Sequence, residues 1–125
     1  MKKILFIEDE EALQSSMGEM LEKNGYAVLK ALDGEAGVKI AKQKLPQLIL
    51  LDLILPKKNG FEVLSELKQD PATKNIPVAV LTNLEGSAEV EKALSLGATT
   101  YLVKANYKLA ELLGKIEAVL NHHAK

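Results

Sequence analysis

Five short apolar runs alternate with five stretches of helical periodicity, and this alternation leaves the chain few folds to choose from. Lys3 to Ile7 reads as a first strand. Glu10 to Asn24 carries Leu13, Met17, Met20 and Leu21 at helical spacing, and Gly25 stops it. Tyr26 to Leu32 is a second strand. Asp33 is placed to cap a helix from Gly34 to Lys44, whose apolar face (Gly37, Ile40, Ala41) is small. Leu48 to Asp52 is a third strand. Asn59 is placed to cap a helix through Phe61, Leu64 and Leu67, ending before Asp70-Pro71. Ile76 to Leu81, entered through Pro77, is a fourth strand. Ser87 to Leu96 is a short helix ended by Gly97, and Thr99 to Val103 a fifth strand. Leu109, Leu112, Leu113, Ile116, Val119 and Leu120 mark one face of the last helix. Strict alternation of this kind implies an α/β, doubly wound, five-stranded parallel sheet with helices on both faces.

No linker, repeat or low-complexity segment interrupts the pattern, so one domain is expected over residues 1–121, with a frayed tail over 122–125. With 47% of residues hydrophobic the chain can build a real core, and a net charge of -1 offers no global electrostatic case for direct nucleic-acid binding. Cysteine is absent, which removes disulfides, thiolate metal sites and thiol nucleophiles. The apolar stretch after Lys2-Lys3 is too short for a signal peptide, and no run reaches membrane-spanning length. A cytoplasmic domain without membrane insertion is the expectation.

Asp52 carries the chemical argument. It closes the apolar run Leu48-Ile49-Leu50-Leu51, and a carboxylate there is costly to desolvate unless a metal, a cation or a cap compensates. Glu8-Asp9-Glu10 ends the first run, Thr82 the fourth and Lys104 the fifth. In open parallel sheets ligands sit beyond the carboxyl ends of the strands, where these residues fall. Several carboxylates in one pocket repel one another without a cation. Hard oxygen ligands suit Mg²⁺, and a carboxylate can attack phosphorus to give an acyl phosphate.

The runs Ile4-Leu5-Phe6-Ile7-Glu8-Asp9-Glu10, Leu50-Leu51-Asp52-Leu53, Pro56-Lys57-Lys58-Asn59-Gly60, Val80-Leu81-Thr82 and Gly97-Ala98 leading to Tyr101-Leu102-Val103-Lys104 resemble, in order, the receiver domain of two-component response regulators. The resemblance implies a flavodoxin-like strand order 2-1-3-4-5. It implies that Asp52 is the phosphoacceptor and that Glu8, Asp9, Asp52 and the backbone carbonyl of Ile54 hold Mg²⁺. Thr82 would hydrogen-bond the phosphoryl group, Lys104 would pair with it, and Tyr101 would be an aromatic switch coupled to Thr82. The implied partners are a histidine kinase or phosphotransfer protein as donor, and a downstream target or output domain as reader. The reading face comprises the helix after Ser87, the fifth strand and the last helix, and it also serves for homodimers in the family. Such a domain is a signalling phosphoprotein in a phosphorelay, not an enzyme beyond its own phosphorylation and dephosphorylation.

The sequence departs from the family pattern at three places. Glu8-Asp9 stands where Asp-Asp is commoner. Ala105 follows Lys104 where proline with a cis bond is usual; a cis non-proline bond costs roughly 2.5–4 kcal/mol, so a trans bond is expected. Asn83 follows Thr82 where a small residue is usual, and its bulk narrows the entrance. Ile54 and Leu84 occupy positions that tune acyl-phosphate hydrolysis; both are apolar and unable to orient water, which points to a long-lived phosphoryl group.

Plainer readings exist for each residue alone. Asp52 could be a turn residue, Glu8-Asp9-Glu10 the acidic first turn of a helix, Lys104 a solvated lysine and Tyr101 simple packing. Lys57-Lys58 could be an exposed loop or attract a phosphodonor. The rival functions are a pseudo-receiver that binds proteins without phosphorylation, a flavin domain and an aspartate phosphatase. The flavin reading lacks a phosphate loop after the first strand. The phosphatase reading lacks a second aspartate two residues after Asp52, where Ile54 stands.

Overall fold

The computed structural model describes residues 2–122. The strands are β1 (Lys3–Ile7), β2 (Ala27–Ala31), β3 (Leu48–Leu51), β4 (Val78–Thr82) and β5 (Thr100–Val103); the helices are α1 (Glu11–Lys23), α2 (Gly34–Lys44), α3 (Gly60–Gln69), α4 (Ser87–Ser95) and α5 (Leu109–His122). All strand pairs are parallel, in the order β2-β1-β3-β4-β5. This is the doubly wound arrangement expected from the alternation, with the order implied by the resemblance.

The near-continuous apolar strands follow from burial on both faces. Alternate residues divide between two cores. Leu5, Ile7, Ile49, Leu51, Val78 and Val80 pack with Val38 of α2, Val63, Leu64 and Leu67 of α3, and Ala93 of α4. Ile4, Phe6, Leu48, Leu50, Ala79 and Leu81 pack with Met17 and Leu21 of α1 and with Leu112, Ile116 and Leu120 of α5. The crossovers therefore reverse between β1 and β3, which places Glu8 and Asp52 side by side at the reversal.

The caps form as expected. Asp33 accepts from the Ala36 N–H at 2.8 Å. Asn59 and Glu62 form a reciprocal capping box at the start of α3. Element bounds shift slightly. β4 begins at Val78 rather than Ile76, because the Ile76 N–H closes a turn onto the Thr73 carbonyl and Pro77 has no N–H to give. A short 3₁₀ turn over Lys104–Asn106 links β5 to α5, and all peptide bonds of the described residues are trans, Lys104–Ala105 included. α5 keeps Asn121 and His122 helical; residues 123–125 of the expected tail lie outside the described residues. No helix among the described residues is long and apolar enough to cross a membrane.

Two glycines hold the loop after β3 close. A β-carbon on Gly60 would collide with the backbone of Asp52 and Leu53, and one on Gly34 would collide with the Lys58 carbonyl oxygen. The first turn of α3 and the start of α2 are thereby pressed onto the two ends of that loop.

Candidate functional site: an acidic pocket at the sheet's carboxyl edge

Glu8 is fully buried, one residue past β1. Its N–H continues the ladder to the Ala31 carbonyl at 3.0 Å. Glu8 Oε2 accepts from the Glu10 N–H at 3.1 Å. Oε1 lies 2.5 Å from Lys104 Nζ, an ion-pair contact without the alignment of a hydrogen bond. Asp52 follows β3 and is 4% exposed. Its N–H donates to the Ile7 carbonyl at 3.1 Å. Asp52 Oδ1 accepts from the Ile54 N–H at 3.2 Å, and Oδ2 accepts from Lys104 Nζ at 2.9 Å. Asp9 is exposed at the rim. One carboxylate oxygen from each of Glu8, Asp9 and Asp52 lies within 4.8 Å of the others.

The electrostatics are unbalanced. Burial pushes the Glu8 carboxyl up to about 7, helped by the nearby Asp52 charge and opposed by Lys104 and the Glu10 N–H. For Lys104 burial disfavours the charge, but contact with Glu8 and Asp52 outweighs it and raises the ammonium above its ordinary value. One lysine stands against three clustered carboxylates, and the exposed Glu10 carboxylate also lies 3.8 Å from its Nζ. Hard oxygen donors from three carboxylates within 4.8 Å, with one lysine ammonium to balance them, fit a small divalent cation.

Thr82, the last residue of β4, is fully buried, and its Oγ1 accepts from the Leu84 N–H at a long 3.5 Å. The Tyr101 hydroxyl donates to the Leu84 carbonyl at 2.7 Å. Thr82 and Tyr101 thus grip the same residue of the β4–α4 loop. Asn83 is exposed, and Leu84 packs partly against the α2–α3–α4 core. Ile54 is 56% exposed beside the pocket. In the loop after β3, the Lys58 N–H closes onto the Pro56 carbonyl at 2.7 Å, with Lys57 at φ +66° between them, a γ-turn. Lys57 Nζ lies 3.9 Å from Asp33, while Lys58 pairs with Glu66 of α3. A cavity of about 460 Å³ between α3 and α4, lined by Phe61, Ser65 and Lys92 among others, contains none of the clustered carboxylates.

Sequence reasoning misses Gln14 and assigns Glu10 to the helix's first turn; Glu10 is instead the residue before α1, makes no side-chain cap, and its carboxylate lies 3.8 Å from Lys104 Nζ. Gln14 is buried, and its amide reaches the carbonyls of Phe6, Glu8 and Ala31. Its signal was present: Gln14, Met17, Gly18 and Leu21 share one buried stripe, and a polar residue on such a stripe needs partners.

An open parallel sheet with a carboxylate trio and a lysine at its switch point defines a class of phosphoryl-accepting signalling domains. The response regulator receiver domain model matches residues 4–117, and the chain belongs to that family. Its members are switches of two-component systems, controlled by phosphorylation, with an acidic site for Mg²⁺ or Mn²⁺. The chain is 39% identical to the DNA-binding dual master transcriptional regulator RpaA of Synechocystis sp., over 96% of this chain and 49% of RpaA, so it spans about half the length of that relative. It is 36% identical to Protein PilH of Pseudomonas aeruginosa, over 96% of this chain and 98% of PilH. Among solved structures, the Mn²⁺-bound form of response regulator Rcp1 matches with a TM-score of 0.81 and 35% identity, covering 95% of this chain and 91% of Rcp1.

Proposed function

We propose that this chain is a phosphorylation-dependent switch in which Asp52 accepts a phosphoryl group from a histidine kinase or phosphotransfer protein. The observation that carries the reading is the Lys104–Asp52 contact at 2.9 Å, set against the Glu8–Asp9–Asp52 cluster. An Asp52 carboxylate oxygen attacks phosphorus, a P–O bond forms, and the P–N bond to the donor imidazole breaks. The imidazole leaves with the electron pair and takes a proton from solvent. A carboxylate nucleophile calls for no general base, so the protein's task is placement and charge neutralisation. Mg²⁺, when held by Glu8, Asp9, Asp52 and the Ile54 carbonyl, supplies positive charge against the transferring oxygens. Lys104 follows the phosphoryl group, and the Thr82 hydroxyl leaves the Leu84 N–H to donate to it.

Leu84 then loses one of its two ties, and Tyr101 resettles with the loop. The surface of α4, β5 and α5 changes shape for a target, an output domain or a second copy. This is a two-state element biased by a local charge. A cytoplasmic setting, where kinases and targets meet, accords with this reading.

The test is incubation with acetyl phosphate and Mg²⁺, followed by intact mass. One added phosphoryl group is expected in wild type, and none in Asp52→Asn or in EDTA. If acetyl phosphate and a panel of histidine kinases all leave wild type unlabelled, the domain is a protein-binding module and not a phosphoacceptor.

A further inference from the structure

We infer that Gln14 is a positioning residue for the metal ligands, setting the mutual orientation of Glu8 and Asp9 through the peptide that joins them. The inference rests on the metal-binding reading above. The Gln14 amide nitrogen lies 3.1 Å from the Phe6 carbonyl, 3.3 Å from the Glu8 carbonyl and 3.0 Å from the Ala31 carbonyl. Two N–H bonds serve three acceptors, so at least one is shared. The side chain is 5% exposed and sits on the stripe that α1 buries with Met17, Gly18 and Leu21. An apolar residue would pack there without needing any partner, whereas a buried amide needs its hydrogen bonds.

The position of the bonds gives them a purpose. The Glu8 carbonyl belongs to the peptide unit with Glu8 at one end and Asp9 at the other. The Glu8 N–H is already fixed on the Ala31 carbonyl at 3.0 Å. Gln14 contacts that same Ala31 oxygen and fixes the carbonyl on the far side of Glu8. With both flanking peptides held, the two side chains leave the backbone at a set angle toward Asp52. Without Gln14 the Glu8 carbonyl loses this donor, the Glu10 N–H and Lys104 are left to hold the Glu8 carboxylate, and the ligand oxygens converge less tightly before a cation arrives. Groups that orient metal ligands in this way are commonly worth about 10–100-fold in affinity.

The experiment compares wild type, Gln14→Met and Leu21→Ala in the 125-residue chain. Gln14→Met keeps the volume and removes the donors. Leu21→Ala destabilises the same buried stripe and leaves the amide in place. Mg²⁺ is titrated while backbone amide shifts of Glu8 and Asp9 are followed by NMR, and acetyl phosphate labelling rates are measured across the same Mg²⁺ range. Gln14→Met is expected to raise the Mg²⁺ Kd by about 10-fold or more, with a labelling rate near wild type once Mg²⁺ saturates. Leu21→Ala is expected to leave the Kd within about 2-fold of wild type despite a lower Tm. An unchanged Kd in Gln14→Met, or equal weakening in both variants, overturns the positioning role while leaving the metal site standing. No Mg²⁺ response in wild type overturns the metal reading itself. If Gln14→Met does not fold, Gln14→Asn, which withdraws the amide by one methylene, takes its place with weakening expected in the same direction.

Discussion

At the scale of single residues, Glu8 joins stability to acidity. Its carboxyl holds a proton up to about pH 7 in the fold, against an ordinary value of 4.5. Between these values the folded state binds more protons than the unfolded one, so metal-free stability falls as pH rises through that window. In EDTA, thermal melts from pH 5 to pH 7.5 should show a loss on the order of 1–3 kcal/mol, and Glu8→Gln should flatten it. A slope of the opposite sign in wild type would sink this account. Hydrolysis is also decided at this scale. Ile54 is exposed beside the pocket and Leu84 packs partly inward, and neither offers a group to hold water. Ile54→Asn combined with Leu84→Glu should speed loss of the phosphoryl mass from phosphorylated protein by roughly tenfold or more; an unchanged decay rate rules out tuning by these two positions.

At the scale of elements, the backbone carries strain that side-chain patterns conceal. Lys57 sits at φ +66° in the γ-turn and Leu45 at φ +46° after α2. A left-handed residue other than glycine costs about 1–2 kcal/mol, partly offset by the greater unfolded freedom of glycine. Lys57→Gly should therefore raise stability by roughly 0.5–1 kcal/mol in urea unfolding, and a loss instead would mean that the lysine stem stabilises the loop. Neither conformation was legible in the sequence, because no glycine or asparagine marks these positions. The elements themselves were legible. Asp33 and Asn59 announced their helices, and the apolar runs located all five strands, since parallel strands bury both faces. The clustered site residues could be found because each ends a strand. Gln14 could not be assigned its partners from sequence, since the carbonyls of Phe6 in β1, Glu8 just past it and Ala31 in β2 become neighbours only once the sheet is built.

At the scale of the whole molecule, folding gathers the Glu8, Asp9 and Asp52 carboxylates into one pocket, and a cation held there would relieve their repulsion only in the folded state. Mg²⁺ at 100 times its Kd should stabilise the fold by about 2.7 kcal/mol, raising Tm by roughly 10 °C for a domain of this size. Differential scanning calorimetry with Mg²⁺ and with EDTA checks this, and Asp9→Asn should abolish most of the shift. A larger shift in Asp9→Asn would place the cation elsewhere. The pocket's two flanks are unlike. On one, Gly60 and Gly34 admit backbone so close that no atom can be added between α2, α3 and the loop after Asp52. On the other, Leu84 is held by two hydrogen bonds, one of them long. Under the proposed function, a push delivered at Asp52 would meet an anvil on the first side and a latch on the second, so that the molecule would act as a rectifier whose yielding side is the β4–α4 loop.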